Sequence, residues 1–154
     1  MIIDSVIVLY NPYEQSVLRN IRMISSKTDC CYVIVNSCDP VVLEKILLIE
    51  GVAVINNYKN IGLSKSLNIG LKKVLQGNAE GVILFDQDSL TADLFFDNLI
   101  GCYKNLANAG EKIGAIGGLI QDDKKSAKDN VPVSLATEVD VIITSGCLIP
   151  LSTL

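Results

Sequence analysis

Two carboxylates placed two residues apart, Asp86 and Asp88, are the side chains of this sequence best suited to chemistry. They follow the apolar run at residues 82–85, which has the character of a buried strand. Like charges at the end of a buried strand cost stability unless something neutralises them. Carboxylate oxygens, completed by water and phosphate oxygens, suit a hard divalent cation such as Mg²⁺ or Mn²⁺. The pattern predicts a metal or metal–nucleotide site formed by Asp88 and Asp86.

A bare Asp-x-Asp pair is a weak motif, and a structural alternative exists. In that alternative Asp88 or Ser89 caps the helix that starts near Ala92, and Asp86 is a solvated turn residue. The position of the pair at the end of a buried strand favours the metal site over capping alone. Both interpretations stay open at this point.

Residues 56–70 form the second candidate site, a strand exit that becomes a helix. Gly62 precedes the helix and lets a ligand approach backbone N–H groups, where the helix N-terminus favours an anion such as diphosphate. Lys65 in the first turn opposes the helix dipole, and a bound anion would explain it. Alternatively, Gly62 only turns the chain and Lys65 is solvated. Asn68 and Gly70, poor helix formers inside the helix, indicate close packing on the sheet or a ligand contact.

Short apolar strands alternate with amphipathic helices up to residue 110. Strands are predicted at residues 5–10, 31–36, 52–56 and 82–86, and helices from about 17 to 26, 40 to 50, 63 to 76 and 92 to 109. Asp39 and Pro40 have the pattern of an N-cap followed by proline at the first helical position. This alternation predicts one α/β domain, with a parallel, right-handed βαβ sheet covered by helices on both faces.

The pattern changes after residue 110. A glycine-rich strand is predicted at residues 113–120, a charged, turn-prone segment at 122–133 and a late strand at 138–144. The glycines do not form G-x-G-x-x-G, so strand packing or a bend explains them better than a dinucleotide loop. The last residues are apolar, without a final helix or polar tail. We therefore expect residues 1–154 to be a single domain that is truncated at its C-terminus.

Polar residues follow every one of the four predicted strands. Ligands of an open parallel sheet bind beyond the carboxyl ends of its strands, near the point where strand order reverses. This edge of the sheet is therefore the expected binding edge. The pairs that follow the first three strands are Tyr10-Asn11, Asn36-Ser37 and Asn56-Asn57, and Thr144-Ser145-Gly146 could face the same edge, although an ordinary turn fits as well.

Composition excludes several classes of function. The 154 residues are 49% hydrophobic and 19% charged, as in a folded domain, and a net charge of -4 makes nucleic acid an unsuitable partner. No apolar run approaches the roughly 18 to 20 residues of a membrane span, and no signal peptide is recognised, so a cytoplasmic protein is expected. The five cysteines contain no C-x-x-C pair and are expected to be reduced thiols. Histidine is absent, which excludes Ser-His-Asp, Cys-His and His-zinc chemistry within these residues.

Together these segments resemble the nucleotide-sugar-binding half of a family 2 glycosyltransferase, and the resemblance is strongest to bacterial rhamnosyltransferases. The segments that carry it are VIVLYNP at residues 6–12, NNYKNIG at 56–62 with Asn68 and Gly70 behind it, DQDS at 86–89 and ITSG at 143–146. They occur in the family's order and are spread over most of the chain. The resemblance implies the GT-A fold, a Rossmann-like, mostly parallel sheet with helices on both faces.

The resemblance also implies roles for individual residues. Tyr10 and Asn11 would line the pocket of the nucleotide base. In the family, the second strand usually ends in an aspartate that contacts the base, and Asn36 stands at the matching position here. Asn36 can accept and donate hydrogen bonds but carries no charge, which leaves the base preference open.

The remaining implied contacts are with the diphosphate, the sugar and the metal. Asn60, Gly62 and Lys65 would lie near the diphosphate of the donor. Asp86 would face the ribose or the sugar, and Asp88 would coordinate Mg²⁺ or Mn²⁺.

The reaction implied by the resemblance is an inverting glycosyl transfer. A nucleotide-diphospho-sugar, such as a dTDP-rhamnose-like donor, would bind through a divalent metal, and its sugar would pass to a saccharide or lipid-linked acceptor. A carboxylate base would deprotonate the acceptor hydroxyl. In the family this base follows the Ser-Gly strand, and no residue after Ser145 is acidic. We expect the base beyond Leu154, donor binding without efficient transfer, and peripheral membrane association of the full-length protein.

Other functions stay open at this stage. A sugar-nucleotide nucleotidylyltransferase has a related fold, but Tyr10-Asn11-Pro12 stands where its glycine-rich loop would be. A non-catalytic nucleotide-binding or signalling module is another class. A phospho-receiver domain of that class would need acidic residues after the first strand, where Asn11 stands. The third alternative is a fragment that keeps the fold alone.

Overall fold

The structure, a computed structural model, describes residues 1–92, 94–118 and 136–154. The strands and helices predicted up to residue 110 are confirmed, with ends shifted by a few residues. In chain order the elements are β1 (Ile3–Tyr10), α1 (Glu14–Ser25), β2 (Cys30–Ser37), α2 (Pro40–Leu47), β3 (Val52–Asn56), α3 (Leu63–Val74), β4 (Gly81–Asp86), α4 (Phe95–Asn108), β5 (Ile116–Gly117), β6 (Cys147–Pro150) and a 3-10 turn (Leu151–Thr153).

The late strand predicted at residues 138–144 is wrong. Its alternating apolar side chains are largely exposed, as Val141 at 83% shows, and the strand β6 forms later instead. The reason lies in the turn at Gly146, whose φ of 73° is easy only for glycine. Its N–H donates to Leu84 O at 2.7 Å, which brings the following residues beside β4 and buries Cys147 and Leu148.

The glycine-rich strand predicted at residues 113–120 is shorter than expected over the part that is described. Only Ile116–Gly117 is strand among residues 113–118. Residues 119 and 120, and the charged segment predicted at 122–133, lie outside the described residues.

The six strands form one sheet in the order β3-β2-β1-β4-β6-β5. β1 to β4 are parallel to one another, whereas β6 runs antiparallel to both β4 and β5, so the sheet is mostly parallel. The chain moves outward from β1 through β2 to β3 and then returns to β4 on the other side of β1. The order of the strands therefore reverses between β1 and β4, where α/β sheets bind ligands.

Helices cover both faces of the sheet, because alternate residues of each buried strand point to opposite faces. One face packs against α1, α2 and α4 through side chains such as Ile7, Ile21 and Phe85. The other face packs against α3 and includes Val6 and Ile34. Each fully buried aliphatic side chain contributes about 1.5–3 kcal/mol through removal from water.

Gly70 allows α3 to pack closely on β1. A Cβ atom at Gly70 would lie 2.4 Å from Cγ1 of Val6, which is closer than any real contact. The packing explanation for this helix-interior glycine is therefore confirmed. Close approach of α3 also sets the distance between its N-terminus and the ends of β2 and β3.

Gly70→Ala is expected to lower the free energy of unfolding by about 1–3 kcal/mol, because overpacking displaces α3 or Val6. Urea denaturation measures the change. Gly101→Ala is the matched control, since a Cβ in that helix-interior position meets nothing within 4 Å. It should raise stability by about 0.5–1 kcal/mol through helix propensity. Equal effects of the two substitutions would contradict the packing argument.

Candidate functional site

The side chain of Gln87 ties the ends of β1 and β4 together. Backbone pairing of these strands ends with Val8 beside Asp86. Beyond that point the side-chain amide of Gln87 takes the place of a backbone partner for Tyr10. Its Oε1 accepts from Tyr10 N at 2.8 Å, and its Nε2 donates to Tyr10 O at 3.2 Å. The backbone oxygen of Gln87 accepts from Nδ2 of the buried Asn20 at 3.1 Å. Gln87, to which the sequence analysis assigned no role, thus fixes Tyr10 relative to the acidic pair.

Ser145 joins the acidic segment from a distant part of the chain. Its hydroxyl accepts from Asp86 N at 3.0 Å and lies 2.6 Å from Oγ of Ser89. The following residue, Gly146, turns the chain into β6. Thr144-Ser145-Gly146 therefore lies at the predicted edge of the sheet and forms a turn whose Ser145 hydroxyl holds the backbone N–H of Asp86. Whether it also faces a ligand stays a prediction.

Asp86 and Asp88 carry their charges side by side at the end of β4. Both residues are exposed. The pKa of the Asp86 carboxyl is raised, chiefly because its immediate surroundings remove water from it and secondly because of the negative charge of Asp88. The ion pairs found among the described residues, Met1–Glu80 and Lys45–Glu14, do not involve either carboxylate. Among the described residues, then, no ion pair neutralises Asp86 or Asp88.

The donor set at this position suits a hard cation with an incomplete protein shell. Within the described residues no group of three or more His, Cys, Asp or Glu side chains could hold a metal by itself. Two carboxylates leave most of an octahedral shell for water and phosphate oxygens, which is the usual arrangement for Mg²⁺ bound together with a nucleotide. The residues present therefore fit a metal that binds with its ligand.

The exit of β1 is held against the exit of β2. Asn11 N donates to Ser37 O at 2.9 Å, and Ser37 Oγ donates to Oδ1 of Asn11 at 2.6 Å. Asn11 has a φ of 46°, a left-handed conformation that asparagine adopts more readily than most residues. Its side-chain oxygen is already used, whereas Tyr10 is 50% exposed. Both residues predicted to line the base pocket are exposed.

Asn36 lies in a buried polar cluster at the ends of β2 and β3. Its side-chain amide contacts the hydroxyl of Ser66 at 2.8 Å and the side-chain amide of Asn57 at 3.0 Å. Ser66 is fully buried in α3, and Asn36 is 4% exposed. Asn57 continues the strand ladder, since its N–H donates to Val35 O at 2.9 Å. Asn57 was identified from the sequence as part of the polar pair after β3 and of the NNYKNIG segment, whereas Ser66 stands in no recognisable motif and was given no role.

The start of α3 is shaped by two asparagine turns. Oδ1 of Asn56 accepts from Tyr58 N at 2.8 Å, and Oδ1 of Asn60 accepts from Gly62 N at 2.9 Å. Gly62 has a φ of 87°, and a Cβ there would meet nothing within 4 Å. Glycine is therefore required by the backbone conformation and not by lack of space.

The first N–H groups of α3, as of any helix, have no intrahelical partners. The N-cap residue, Gly62, has no side chain that could accept from them. Lys65 in this first turn is exposed. The predicted contacts of Asn60, Gly62 and Lys65 with a diphosphate stay predictions.

Two shallow surface pockets lie elsewhere, one along α4 and one beside Arg22 and Glu50. Neither is lined by a predicted site residue. The predicted site residues lie instead at the ends of the strands.

Gln87→Ala is expected to lower the free energy of unfolding by about 1–2 kcal/mol, because two hydrogen bonds to the backbone of Tyr10 are lost. Urea denaturation followed by circular dichroism measures the change. Gln76→Ala is the control, since Gln76 is exposed just beyond α3 and should change stability by less than about 0.5 kcal/mol. If Gln87→Ala were as silent as the control, Gln87 would not hold the two strand ends together.

Comparisons with known proteins support the sequence interpretation. No model of a protein family matches the chain. The dTDP-rhamnosyl transferase RfbF of Shigella flexneri is 37% identical over 109 residues, which cover 70% of this chain and 36% of RfbF. The chain thus spans about a third of the length of this curated relative. The predicted resemblance to rhamnosyltransferases is confirmed.

Solved structures share the fold. The crystal structure of TarS residues 1–349 from S. aureus superposes with a TM-score of 0.55 at 17% identity, over 70% of this chain and 33% of that one. A mycobacterial protein superposes with a TM-score of 0.55 at 15% identity, over 75% of this chain and 40% of the other. The Rossmann-like GT-A fold is confirmed. No helix in the described ranges is long and apolar enough to cross a membrane.

Proposed function

We propose that this chain is the donor-binding part of an inverting rhamnosyltransferase. It would hold a dTDP-rhamnose-like nucleotide-diphospho-sugar through a divalent metal, for transfer to a saccharide or lipid-linked acceptor. The observation that carries the proposal is the position of Asp86 and Asp88 at the point where strand order reverses between β1 and β4. Similarity to a protein named as a dTDP-rhamnosyl transferase supports the choice of donor.

The strand ends provide groups for a nucleotide on one face of the sheet. Tyr10, Asn36 and Asp86 alternate in register with the apolar residues that pack beneath α3, so they belong to the face that α3 covers. Tyr10 offers an exposed aromatic ring and Asn36 an amide to the base. Asp86, at the end of β4, would face the ribose or the sugar.

Mg²⁺ or Mn²⁺ would be held by Asp88 and Asp86. When bound, such a cation offsets the negative charge of the diphosphate leaving group. Ser145 holds the backbone N–H of Asp86, and Gln87 holds the end of β1 beside it, so the backbone that carries the two carboxylates is ordered before a ligand arrives. Two like charges side by side lower the stability of the protein when no cation is bound. Binding of a divalent cation would explain why both Asp86 and Asp88 are present.

The diphosphate would approach the N-terminus of α3. Uncapped N–H groups and the positive end of the helix dipole favour an anion there, and Lys65 adds a charge. Gly62 permits the turn that exposes these groups, and Asn60 holds that turn in place. Residues 146–154 contain no acidic side chain, so the base that deprotonates the acceptor would come from another segment.

Mn²⁺ together with dTDP is expected to raise the melting temperature, because a ligand that binds only the folded state stabilises it. At a hundredfold excess over Kd the gain is about 2.7 kcal/mol, or roughly 5–10 °C for a domain of this size. Asp88→Ala should abolish the increase that depends on metal. Asp140→Ala, which removes an exposed carboxylate before β6, should retain it. Lack of response to every nucleotide tested, with or without metal, would contradict the proposal.

The stabilisation by Mn²⁺ and dTDP is also expected to weaken as the pH falls. A raised pKa means that the folded protein binds a proton on Asp86 more tightly than an ordinary carboxyl group does. Protons therefore compete with the cation at a higher pH than they would at an unperturbed aspartate. Melting curves with and without ligand across the acid range measure the effect, and a response independent of pH would argue against metal binding at Asp86.

A further inference from the structure

β3 is an edge strand whose outer side has no strand partner in the described part of the chain. It stands at the end of the strand order and pairs with β2 alone. Cys31 N donates to Gly51 O at 2.8 Å, and Asn57 N donates to Val35 O at 2.9 Å. Successive residues of a strand direct their backbone groups to opposite sides. Residues 51, 53, 55 and 57 therefore face β2, and the N–H and C=O groups of residues 52, 54 and 56 face outward.

This edge lacks the features that usually keep an exposed strand from pairing. Such features are charged side chains, prolines and bulges along the edge. β3 has the sequence VAVIN, and its register with β2 is regular. All five residues are partly exposed, and no hydrogen bond joins an outward backbone group to another residue in the described ranges. An apolar edge with open backbone groups favours the addition of another strand.

The outward groups of β3 are complementary to those of a second copy. Two copies can run antiparallel with Val54 opposite Val54, and residue 52 of each copy then lies opposite residue 56 of the other. Opposed residues of this kind exchange both of their N–H···O bonds. Three outward N–H donors from each copy therefore give six hydrogen bonds, which leave no outward group of residues 52, 54 and 56 unpaired. A two-fold axis relates the copies, so the contact closes at two chains.

Charges beyond the two ends of β3 favour the same antiparallel arrangement. Glu50 precedes the strand and Lys59 follows it, and both side chains are exposed. Neither forms an ion pair with a residue that the structure describes. Antiparallel pairing brings Glu50 of one copy towards Lys59 of the other at both ends of the contact, whereas parallel pairing would bring like charges together.

An exposed leucine flanks this edge on the face that α2 covers. Lys45 of α2 forms an ion pair with Glu14 of α1, so this side of α2 faces the helix that connects β1 to β2. Leu47 stands two residues further on, about 200° around the helix. It therefore points away from α1, towards the open side of β3, and it is 61% exposed. A strand added at this edge would give Leu47 an apolar neighbour.

We propose that two copies of this chain associate through β3 as a symmetric dimer, in which their two six-stranded sheets become one continuous sheet. The carboxyl ends of β1 to β4 point in opposite directions in the two copies, so the two candidate sites lie at opposite edges and neither copy covers the other's site. Five residues from each copy form a small contact, so the dimer is expected to be weak and to depend on concentration. The proposal is independent of the donor and of the metal.

Sedimentation equilibrium between micromolar and millimolar concentration measures the association. The average mass should rise from 16.6 kDa towards twice that value. Glu50→Lys should lower the association constant at least about fivefold at low salt, because two attractive pairs become repulsive. Adding Lys59→Glu to this variant should restore association, and Glu111→Lys, the same change at an exposed residue after α4, should leave it nearly unchanged. A monomer at every concentration, or no recovery in the double variant, would overturn the proposal.

The side of α2 that meets the second copy is tested in the same way. Leu47→Asp should weaken association, because it places a charge against the apolar edge. Leu48→Asp is the matched control, since Leu48 is 87% exposed and stands about 100° further around the helix, away from the edge. Equal effects of the two substitutions would contradict the proposed position of the second copy.

Amide hydrogen exchange followed by NMR decides which surface forms the dimer. The N–H groups of Val52, Val54 and Asn56 become hydrogen-bonded on pairing, so their exchange should slow at least about fivefold between dilute and concentrated protein. The N–H groups of Ala53 and Ile55 are the internal reference, because they already face β2 and should change less. Association without protection of the three outward amides would mean that another surface forms the dimer, and would overturn the proposal.

Discussion

The pairing of β1 with β4 is the interaction on which the candidate site depends. These strands are neighbours in the sheet but are separated in sequence by two strands and three helices. Their backbone ladder ends at Val8 and Asp86, and the amide of Gln87 extends it by one further pair of hydrogen bonds. Tyr10 and the two aspartates are thereby held at fixed positions along the same edge.

Close packing on both sides of β1 supports this pairing. Gly70 brings α3 directly onto Val6, and α1 buries its apolar side chains against the opposite face. Because α3 packs closely on the sheet, Ser66 contacts Asn36 at the end of β2 and Asn57 after β3. The hydrogen bonds of Asn36 and the start of α3 are therefore consequences of packing several residues away.

The sequence predicts the local elements and the chemistry of the strand ends well, because these depend on nearby residues. Short continuous apolar runs identify β1 to β4, and Asp39 is confirmed as the N-cap of α2, since its side chain accepts from Val41 N. Gly70 also has a local signal, because glycine inside a helix needs a reason. The pair Asp86 and Asp88 can also be recognised locally, because two charged residues directly follow the apolar run at residues 82–85.

The contacts that assemble the site could not be predicted in this way, because they join residues distant in sequence. Gln87 meets Tyr10 across 77 residues, Asp86 meets Ser145 across 59, and Ser66 meets Asn36 across 30. The late strand was misplaced for a related reason: alternation at residues 138–144 favours a strand, but the turn at Gly146 decides which residues reach β4. Partners in a sheet are set by such turns and not by alternation alone.

The central claim is that a metal–nucleotide complex binds where β1 and β4 end. Paramagnetic broadening of backbone amide signals by Mn²⁺, with and without dTDP, tests that location directly. Broadening should centre on residues 86–89 and extend to Tyr10 and the start of α3 once dTDP is present, while residues near Gly110 keep sharp signals. Broadening centred elsewhere, or spread evenly over the protein, would contradict the claim.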